Sequence, residues 1–388
     1  MRNESTLRGR TAIVGVAESD MGEVGPGVTA LDLTEQAAVR ALDDAGLTSV
    51  DVDALFSHSA FYSMPTVTLA ERMGIRPRYS DSTALGGSSF LAHLRHATAA
   101  INAGMCEVAL IAYGSNQRSA SGGLVASGHS YLPSYEMPFG PRLPVSAYAL
   151  AAARHMHDFG TTREQLAQVA VAARRWAQRN PSAFERADLT VDDVLSSRMV
   201  STPLTVRDCC LVTDGGGAVV VTSAERARDL PRPPVYYLGG AEAHWNNSIS
   251  QLPDLTVTAA SETGARAFSL AGLRPSDVDV VELYDAFTIN TVLFLEDLGF
   301  CAKGEGGAFV DAGGIAPGGH LPVNTNGGGL SYGHPGMYGI FTLIESARQI
   351  RGEAGERQID DTHVALAHGN GGMLSSQVTV LLGDSSTI

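Results

Sequence analysis

Arg40-Ala-Leu-Asp-Asp-Ala-Gly-Leu-Thr-Ser-Val-Asp-Val-Asp53 recurs without a gap as Arg266-Ala-Phe-Ser-Leu-Ala-Gly-Leu-Arg-Pro-Ser-Asp-Val-Asp279, 226 residues further on. Each copy closes a helix at Ala-Gly-Leu, with the glycine as its stop, and each then enters an apolar strand. Short apolar strands precede both copies, Ala12 to Val16 and Val235 to Leu238. A second echo follows, Val108-Ala-Leu-Ile-Ala-Tyr-Gly114 against Val364-Ala-Leu-Ala-His-Gly369. Each of these comes after a run at helical spacing, Ser89 to Ala103 and Pro335 to Arg351. Strand alternating with helix implies parallel pairing with helices over the sheet. The chain is therefore expected to be a duplicated α/β protein, with an N-terminal half over residues 1–230 and a C-terminal half over residues 231–388. The N-terminal half carries an inserted region at about 115–203, rich in Gly, Ser and Pro at first and then helical at Val145 to Phe159 and Thr162 to Arg179. Asp208-Cys-Cys-Leu-Val-Thr-Asp-Gly-Gly-Gly-Ala-Val-Val-Val-Thr222 returns to the sheet.

The 388 residues are 44% hydrophobic and 18% charged, the balance of an ordinary folded domain pair. A net charge of -14 argues against a nucleic-acid groove or an anionic membrane surface, both of which need clustered Lys and Arg. The polar start, Met1 to Arg10, runs straight into Thr11-Ala-Ile-Val-Gly-Val16 without the apolar core of a signal peptide. No stretch of about 18 apolar residues is present to span a bilayer. Cys106, Cys209, Cys210 and Cys301 lack both C-x-x-C spacing and disulfide density, so a reducing, cytoplasmic setting without structural zinc is expected. As small buried hydrophobes they need no chemistry.

The richest candidate for chemistry is Asn324-Thr-Asn-Gly-Gly-Gly-Leu-Ser-Tyr-Gly-His-Pro-Gly-Met-Tyr-Gly339. Pro335 is favoured at the first helical position, and Met337, Ile340, Phe341, Ile344, Ala347 and Ile350 follow at helical spacing. The expectation is that His334 sits at a helix N-terminus, at the mouth of a pocket. Tyr338 falls within that helix and reads as core. His155-x-His157 lacks metal spacing, since i and i+2 face different ways on a helix, and reads as a solvated pair. Gly313-Gly314 and Gly327-Gly-Gly329 do not make a strand-linked nucleotide fingerprint.

The tandem halves, the Gly-His-Pro-Gly turn, the strand end Glu282-Leu-Tyr-Asp-Ala-Phe287 and the Asp208-Cys-Cys-Leu-Val-Thr-Asp-Gly run together resemble the thiolase superfamily. The sterol-carrier-protein thiolase or lipid-transfer-protein branch is the most similar. The resemblance covers nearly the whole chain and implies duplicated βαβαβαββ halves in a layered α/β/α/β/α arrangement. It also implies a coenzyme A thioester as substrate, with coenzyme A part of that substrate and no tightly bound cofactor.

Thiolases use a cysteine nucleophile at the turn opening a helix of the first half. Here that turn is Leu85-Gly-Gly-Ser-Ser-Phe90, without cysteine. The second family cysteine is missing from Ala367-His-Gly-Asn-Gly-Gly-Met373, and the branch's His-Asp-Cys-Phe reads Tyr284-Asp285-Ala286-Phe287. Ser88 or Ser89 is a weak nucleophile or, more simply, a helix cap. What the resemblance leaves is machinery for a thioester enolate. His334 aligns with a histidine that binds the thioester oxygen, and Tyr284 stands where relatives place Asn or His. Tyr332 is expected to share that pocket, giving Tyr284, Tyr332 and His334 as catalytic residues. Gly87, Ser88, Asp285, His368 and Gly371 are expected to bind substrate, with His58, the repeat counterpart of Tyr284, lining the same cavity.

Some members of this branch are retro-aldolases that cleave a β-hydroxyacyl-CoA in steroid side-chain breakdown. That reaction needs a base and an oxyanion site, not a cysteine. The resemblance further implies a homodimer and a small partner bearing a zinc ribbon and an OB fold. An acyltransferase working through Ser88 or a nucleophile not evident in the sequence, and a non-catalytic acyl-CoA-binding or lipid-binding subunit, are the other readings.

Overall fold

The computed structural model describes residues 7–121 and 135–388. The first copy runs β1 (Thr11–Glu18), α1 (Ala30–Ala45), β2 (Ala54–Ser57), α2 (Pro65–Met73), β3 (Tyr79–Asp81), α3 (Ser89–Asn102) and β4 (Val108–Ser115). Then come α4 (Gln117–Ser121), α5 (Val145–Phe159), α6 (Arg163–Gln178), α7 (Val191–Leu195) and the small hairpin β5 (Met199–Ser201) and β6 (Leu204–Thr205), before β7 (Gly215–Ser223) and α8 (Ala224–Ala227). The second copy is β8 (Val235–His244), α9 (Ala260–Ala271), β9 (Val280–Leu283), α10 (Thr288–Asp297), α11 (Gly306–Asp311), α12 (Gly339–Arg351), β10 (Val364–Gly371) and β11 (Ser376–Gly383). Part of the Gly, Ser and Pro-rich stretch after residue 115 lies outside the described residues.

The repeated segments adopt the same structure. α1 and α9 end at Gly46 and Gly272, both left-handed (φ 68° and 65°), and each leads through one short 3-10 turn into β2 or β9. The packing is repeated too. A methyl on Gly15 of β1 would strike the backbone of Ala41 and Ala45 in α1, and one on Gly239 of β8 would strike Ala267 and Ala271 in α9. Ala41 and Ala267, and Ala45 and Ala271, are equivalent positions of the two copies. A side chain at either glycine would push the helix off its sheet, because interiors have no slack at this density.

The strands form a nine-stranded sheet in the order β3-β2-β4-β7-β1-β8-β11-β10-β9, in which Ala12↔Tyr236 and Ile13↔Val235 join the two halves. The expected parallel pairing holds for β2 with β3 and β4, and for β9 with β10. It fails for β7 and β11, which run antiparallel to both neighbours. β11 returns directly from β10 through the turn at residues 372–375, too short for a helical crossover. α3 and α12 pack on each other and on strands of both halves, whereas α1 and α9 cover the outer faces. This gives the helix, sheet, helix, sheet, helix layering. β1, β4, β7 and β10 are buried almost throughout, as strands covered on both faces must be. No helix among the described residues is long and apolar enough to cross a membrane.

Candidate active site

The site forms where the two central helices begin. In the first copy, Leu55 of β2 pairs with Ser80 of β3, after which the turn at 82–88 leads into α3. In the second, Val281 of β9 bridges Val323, and the longer run 324–338 leads into α12. The starts of α3 and α12 abut, since a methyl on Gly339 would lie 1.9 Å from the Gly87 carbonyl oxygen. The end of β9 then fastens the long run residue by residue. Asn324 Oδ1 accepts the Leu283 N–H at 2.6 Å, Glu282 Oε1 accepts Thr325 N–H and Oγ1–H, and Asp285 Oδ1 accepts the Gly329 N–H at 2.6 Å.

This brings Tyr284 to His334. The Tyr284 hydroxyl lies 2.9 Å from His334 Nε2, with the rings edge to face at 5.6 Å. Burial pushes the His334 imidazole down to about 4, so it is neutral at pH 7. Burial, then the neighbouring Cys210, Tyr148 and Tyr113, push the Tyr284 phenol well above its ordinary value, while the Tyr338 main-chain N–H beside it acts the other way. A protonated phenol next to a neutral imidazole donates to Nε2, which leaves the ring hydrogen on Nδ1. That nitrogen is buried and has no hydrogen-bond partner among the described residues. Thr213 Oγ1 fixes the loop by accepting the His334 main-chain N–H at 3.0 Å. Beneath the phenol lies Gly87, where a methyl would be 1.9 Å from Tyr284 Cε2. Gly371 of β10 meets Leu85 and Gly86 of the same turn. Asp285 is buried and held up to about 7, the two N–H groups of Gly329 and Leu330 only partly offsetting burial.

Several expectations need correction. α12 begins at Gly339, so His334 lies upstream of the helix. Gly336 (φ 84°) cannot continue a helix from Pro335, and the Pro335 carbonyl is taken by the Tyr113 hydroxyl. The start of the helix instead presents the Tyr338 N–H to Tyr284. Tyr332 does not face the pair. Residues 328–332 form a single π-helical turn, and the Tyr332 hydroxyl donates to Glu18 Oε1 at 3.1 Å, where Arg348 binds the same carboxylate. The His368 ring is satisfied by Thr379 Oγ1 and Gln377 Oε1, both at 2.9 Å, and offers no free nitrogen. Its contribution is the carbonyl that accepts the Tyr284 N–H.

Ser88 is fully buried, and its hydroxyl donates to Leu85 O at 2.8 Å and meets Ser376, so it is neither a side-chain cap nor a free nucleophile. His58 ends half-buried at β2 beside His93. His155 is no solvated residue, because its ring is buried between Thr161 and Glu296, and only His157 is exposed.

Three neighbours went unread in the sequence. Tyr338 stacks parallel to His334 (6.5 Å, 11°) and edge-on to Tyr284, with its hydroxyl on Asn326 Oδ1 at 2.8 Å. Asn326 also accepts the Gly328 N–H. Cys210 is not remote from the chemistry. Cys209 bridges Phe287 and turns its thiol to Thr205 O, so the next residue along the extended backbone faces the Tyr284 side. Burial, then Cys209 and Asp285, raise the Cys210 thiol well above its ordinary value. Only the alternation of the Cys-Cys strand carried a signal for this placement.

Residues 241–384 match the family model described as thiolase C-terminal domain-like. The chain is 34% identical over 387 residues to a steroid side-chain-cleaving aldolase of Thermomonospora curvata, covering 95% of this chain and 97% of that one. It is 34% identical over 388 residues to the 17-hydroxy-3-oxo-4-pregnene-20-carboxyl-CoA lyase of Mycobacterium tuberculosis (94% and 97% covered). It is also 35% identical over 373 residues to an acetyl-CoA acetyltransferase of Methanothermobacter thermautotrophicus (93% and 96% covered). Among solved structures, the Ltp2-ChsH2(DUF35) aldolase superposes with a TM-score of 0.89 at 33% identity, over 97% of this chain and 98% of that one. With its duplicated sheet, its cysteine-free turn and relatives of this kind along nearly its full length, the chain belongs to the sterol-carrier-protein thiolase and lipid-transfer-protein branch of the thiolase superfamily.

Proposed function

We propose that the protein is a carbon–carbon lyase that cleaves a β-hydroxyacyl-CoA by retro-aldol reaction to a ketone and a shortened acyl-CoA, with steroid side chains as the acyl class. The observation that carries this reading is the Tyr284–His334 hydrogen bond at the place where thiolases act with cysteine. The bond between the α and β carbons breaks as the β-hydroxyl becomes a carbonyl, and its electron pair moves into the thioester enolate. The β-hydroxyl proton passes to Tyr284 Oη while the phenol's own proton passes to His334 Nε2. A phenol with its pKa raised is a poor base alone. The relay avoids a free phenolate, and the Tyr338 N–H steadies whatever charge collects on the oxygen. The imidazolium then faces the new enolate and returns a proton to the α carbon. Tyr284 and His334 take the proton-handling roles, with Tyr338 supporting them and Tyr332 left to the Glu18 network. Gly87 and Gly371 shape the floor, and Asp285 orients the loop.

The aldolase and lyase relatives and the aldolase structural neighbour support the reaction class. The name of that neighbour includes a second protein, which supports a small partner here, and a zinc-ribbon and OB-fold chain completing the acyl-CoA entrance is the partner we propose. A homodimeric core, a cytoplasmic setting and division of the chain near residue 230 complete the reading. The test is incubation of the purified chain, with and without such a partner, with 17-hydroxy-3-oxo-4-pregnene-20-carboxyl-CoA. Release of the C17 ketone and propionyl-CoA is expected with the partner and weakly or not at all without it. Robust turnover by the chain alone counts against the partner.

The acetyltransferase relative favours a second reading, acyl transfer through a thiol, for which Cys210 beside Tyr284 is the available group. Its raised pKa works against a thiolate. An acyl adduct on Cys210 seen by mass spectrometry after acyl-CoA treatment would establish that reading instead.

A further inference from the structure

Asn290 lies in the first turn of α10, three residues past the Tyr284–Phe287 segment, and is fully buried. By hydrogen-bond distance and angle, neither atom of its carboxamide has a partner among the described residues. In the same turn Thr288 donates to Asp208 Oδ1 at 2.9 Å, whereas the buried Thr291 hydroxyl, like the Asn290 amide, has no partner among the described residues. Buried polar groups are nearly always paired, and one left unpaired is destabilising. An amide kept at such a cost points to a partner that arrives with a ligand.

The surroundings say what kind of partner. Asn290 faces the hydroxyl of Tyr148 on α5, whose ring stacks on Phe287 at 4.4 Å and which neighbours Tyr284. Tyr148 has already given its hydrogen to Gly372 O at 2.8 Å, and it accepts from Asn370 Nδ2 at 2.7 Å. At most its remaining lone pair serves Asn290 Nδ2. Nothing nearby serves Asn290 Oδ1, an acceptor that only a hydrogen donor can fill. A carbonyl or an alkyl group does not meet that need, and a hydroxyl does.

We infer that Asn290 is a substrate-recognition residue that accepts a hydrogen bond from the β-hydroxyl of the acyl group, next to the tyrosine that later takes that proton. The inference rests on the retro-aldolase reading. Tyr148 neighbours both Asn290 and Tyr284, which places the two residues on the same side of the site. The product ketone has no hydrogen to give, so the contact holds substrate and releases product.

The experiment is calorimetric titration of the full chain with its partner, in a Tyr284→Phe background so that the ligand is not cleaved. The ligands are 17-hydroxy-3-oxo-4-pregnene-20-carboxyl-CoA and its counterpart lacking the 17-hydroxyl. With Asn290 present, the hydroxylated thioester should bind roughly 10- to 100-fold more tightly, the size of one buried hydrogen bond made or left unmade. Asn290→Leu should erase that preference and leave the affinity for the deoxy thioester unchanged. Its melting temperature should be equal or higher, because a buried unpaired amide has been replaced by an apolar side chain of similar size; Asn290→Ala gives the same comparison should the leucine variant not fold. Equal weakening of both ligands, or no preference at the start, overturns the inference while leaving the acyl-CoA reading standing. Failure of both thioesters to bind overturns the inference and the acyl-CoA reading together.

Discussion

The end of β2 and the end of β9 are the same place in the two copies, yet only the second is closed over. At β2, Ser57 is buried with Tyr62 beside it and His58 lies half-buried beside His93, whose pKa burial takes down to about 4. At β9, the run 324–334 crosses the strand end and is bonded to Glu282, Leu283, Tyr284 and Asp285 in succession. Duplication supplied two equivalent helix starts, and lengthening the loop before one of them brought the acceptor His334 onto the Tyr284 hydroxyl at the strand end. The short turn at 82–88 contributes the floor beneath the phenol through Gly87. A symmetric frame thus carries an asymmetric site, and the asymmetry resides in loop length.

The sharpest way to break this comparison is to exchange the equivalent residues Tyr284 and His58. Tyr284→Phe removes the proton-transfer group and should lower turnover by about 100- to 10,000-fold with acyl-CoA affinity kept. His58→Gln should leave turnover within about twofold, the ordinary consequence of a change away from the chemistry. Comparable losses in steady-state assays of the two variants would mean that the first copy takes part in the reaction.

Gly87→Ala comes next. A methyl there lies 1.9 Å from Tyr284 Cε2 and 2.7 Å from the Asn370 carbonyl, so the phenol must shift. A misplacement of that size should cost about 100-fold in kcat, and a crystal structure of the variant should show the Tyr284–His334 distance lengthened. Wild-type kcat in Gly87→Ala would remove Tyr284 from the chemistry.

A smaller effect separates the two tyrosines of the long run. Tyr338→Phe loses the bond to Asn326 that holds its ring against His334, worth about 1 kcal/mol and so roughly a fivefold fall in turnover. Tyr332→Phe should leave kcat unchanged and lower the melting temperature instead, since its bond goes to the Glu18–Arg348 pair. The reverse pattern would restore Tyr332 to the site.

The smallest expected effect is on stability and depends on pH. The folded-state pKa of Asp285, about 7, lies above its ordinary value of 3.8, so the folded protein binds this proton more tightly than the unfolded chain. Its contribution to stability is therefore full below about pH 4 and is lost as pH rises through 7. The melting temperature of the wild type relative to Asp285→Asn should fall from pH 4 to pH 7 and level off above. A difference independent of pH would show that the carboxyl is already ionised in the fold.

The duplicated frame was readable in the sequence because its signals are local. A helix stopped by Ala-Gly-Leu and an apolar strand after it lie within a few residues of one another, and the same run appears twice. The bounds of α5, and those of α6 to within one residue at each end, were legible for the same reason. The direction of each side chain in residues 324–338 was not. Glycines with positive φ and a π-helical turn break the helical period from which facing residues are inferred, so spacing alone put Tyr332 in the site and left Tyr338 in the core. Cys210, Asn290 and His155 acquire their surroundings from segments 70 or more residues away, and His368 loses its free nitrogens to the strand paired beside it. The sequence by itself determined the repeated α/β elements, the absence of cysteine from the family positions and the pairing of a glycine-rich run with His334. The tertiary structure decided which hydroxyl meets that histidine, because hydrogen-bond partners are fixed by the meeting of α3 and α12 and not by any period along the chain.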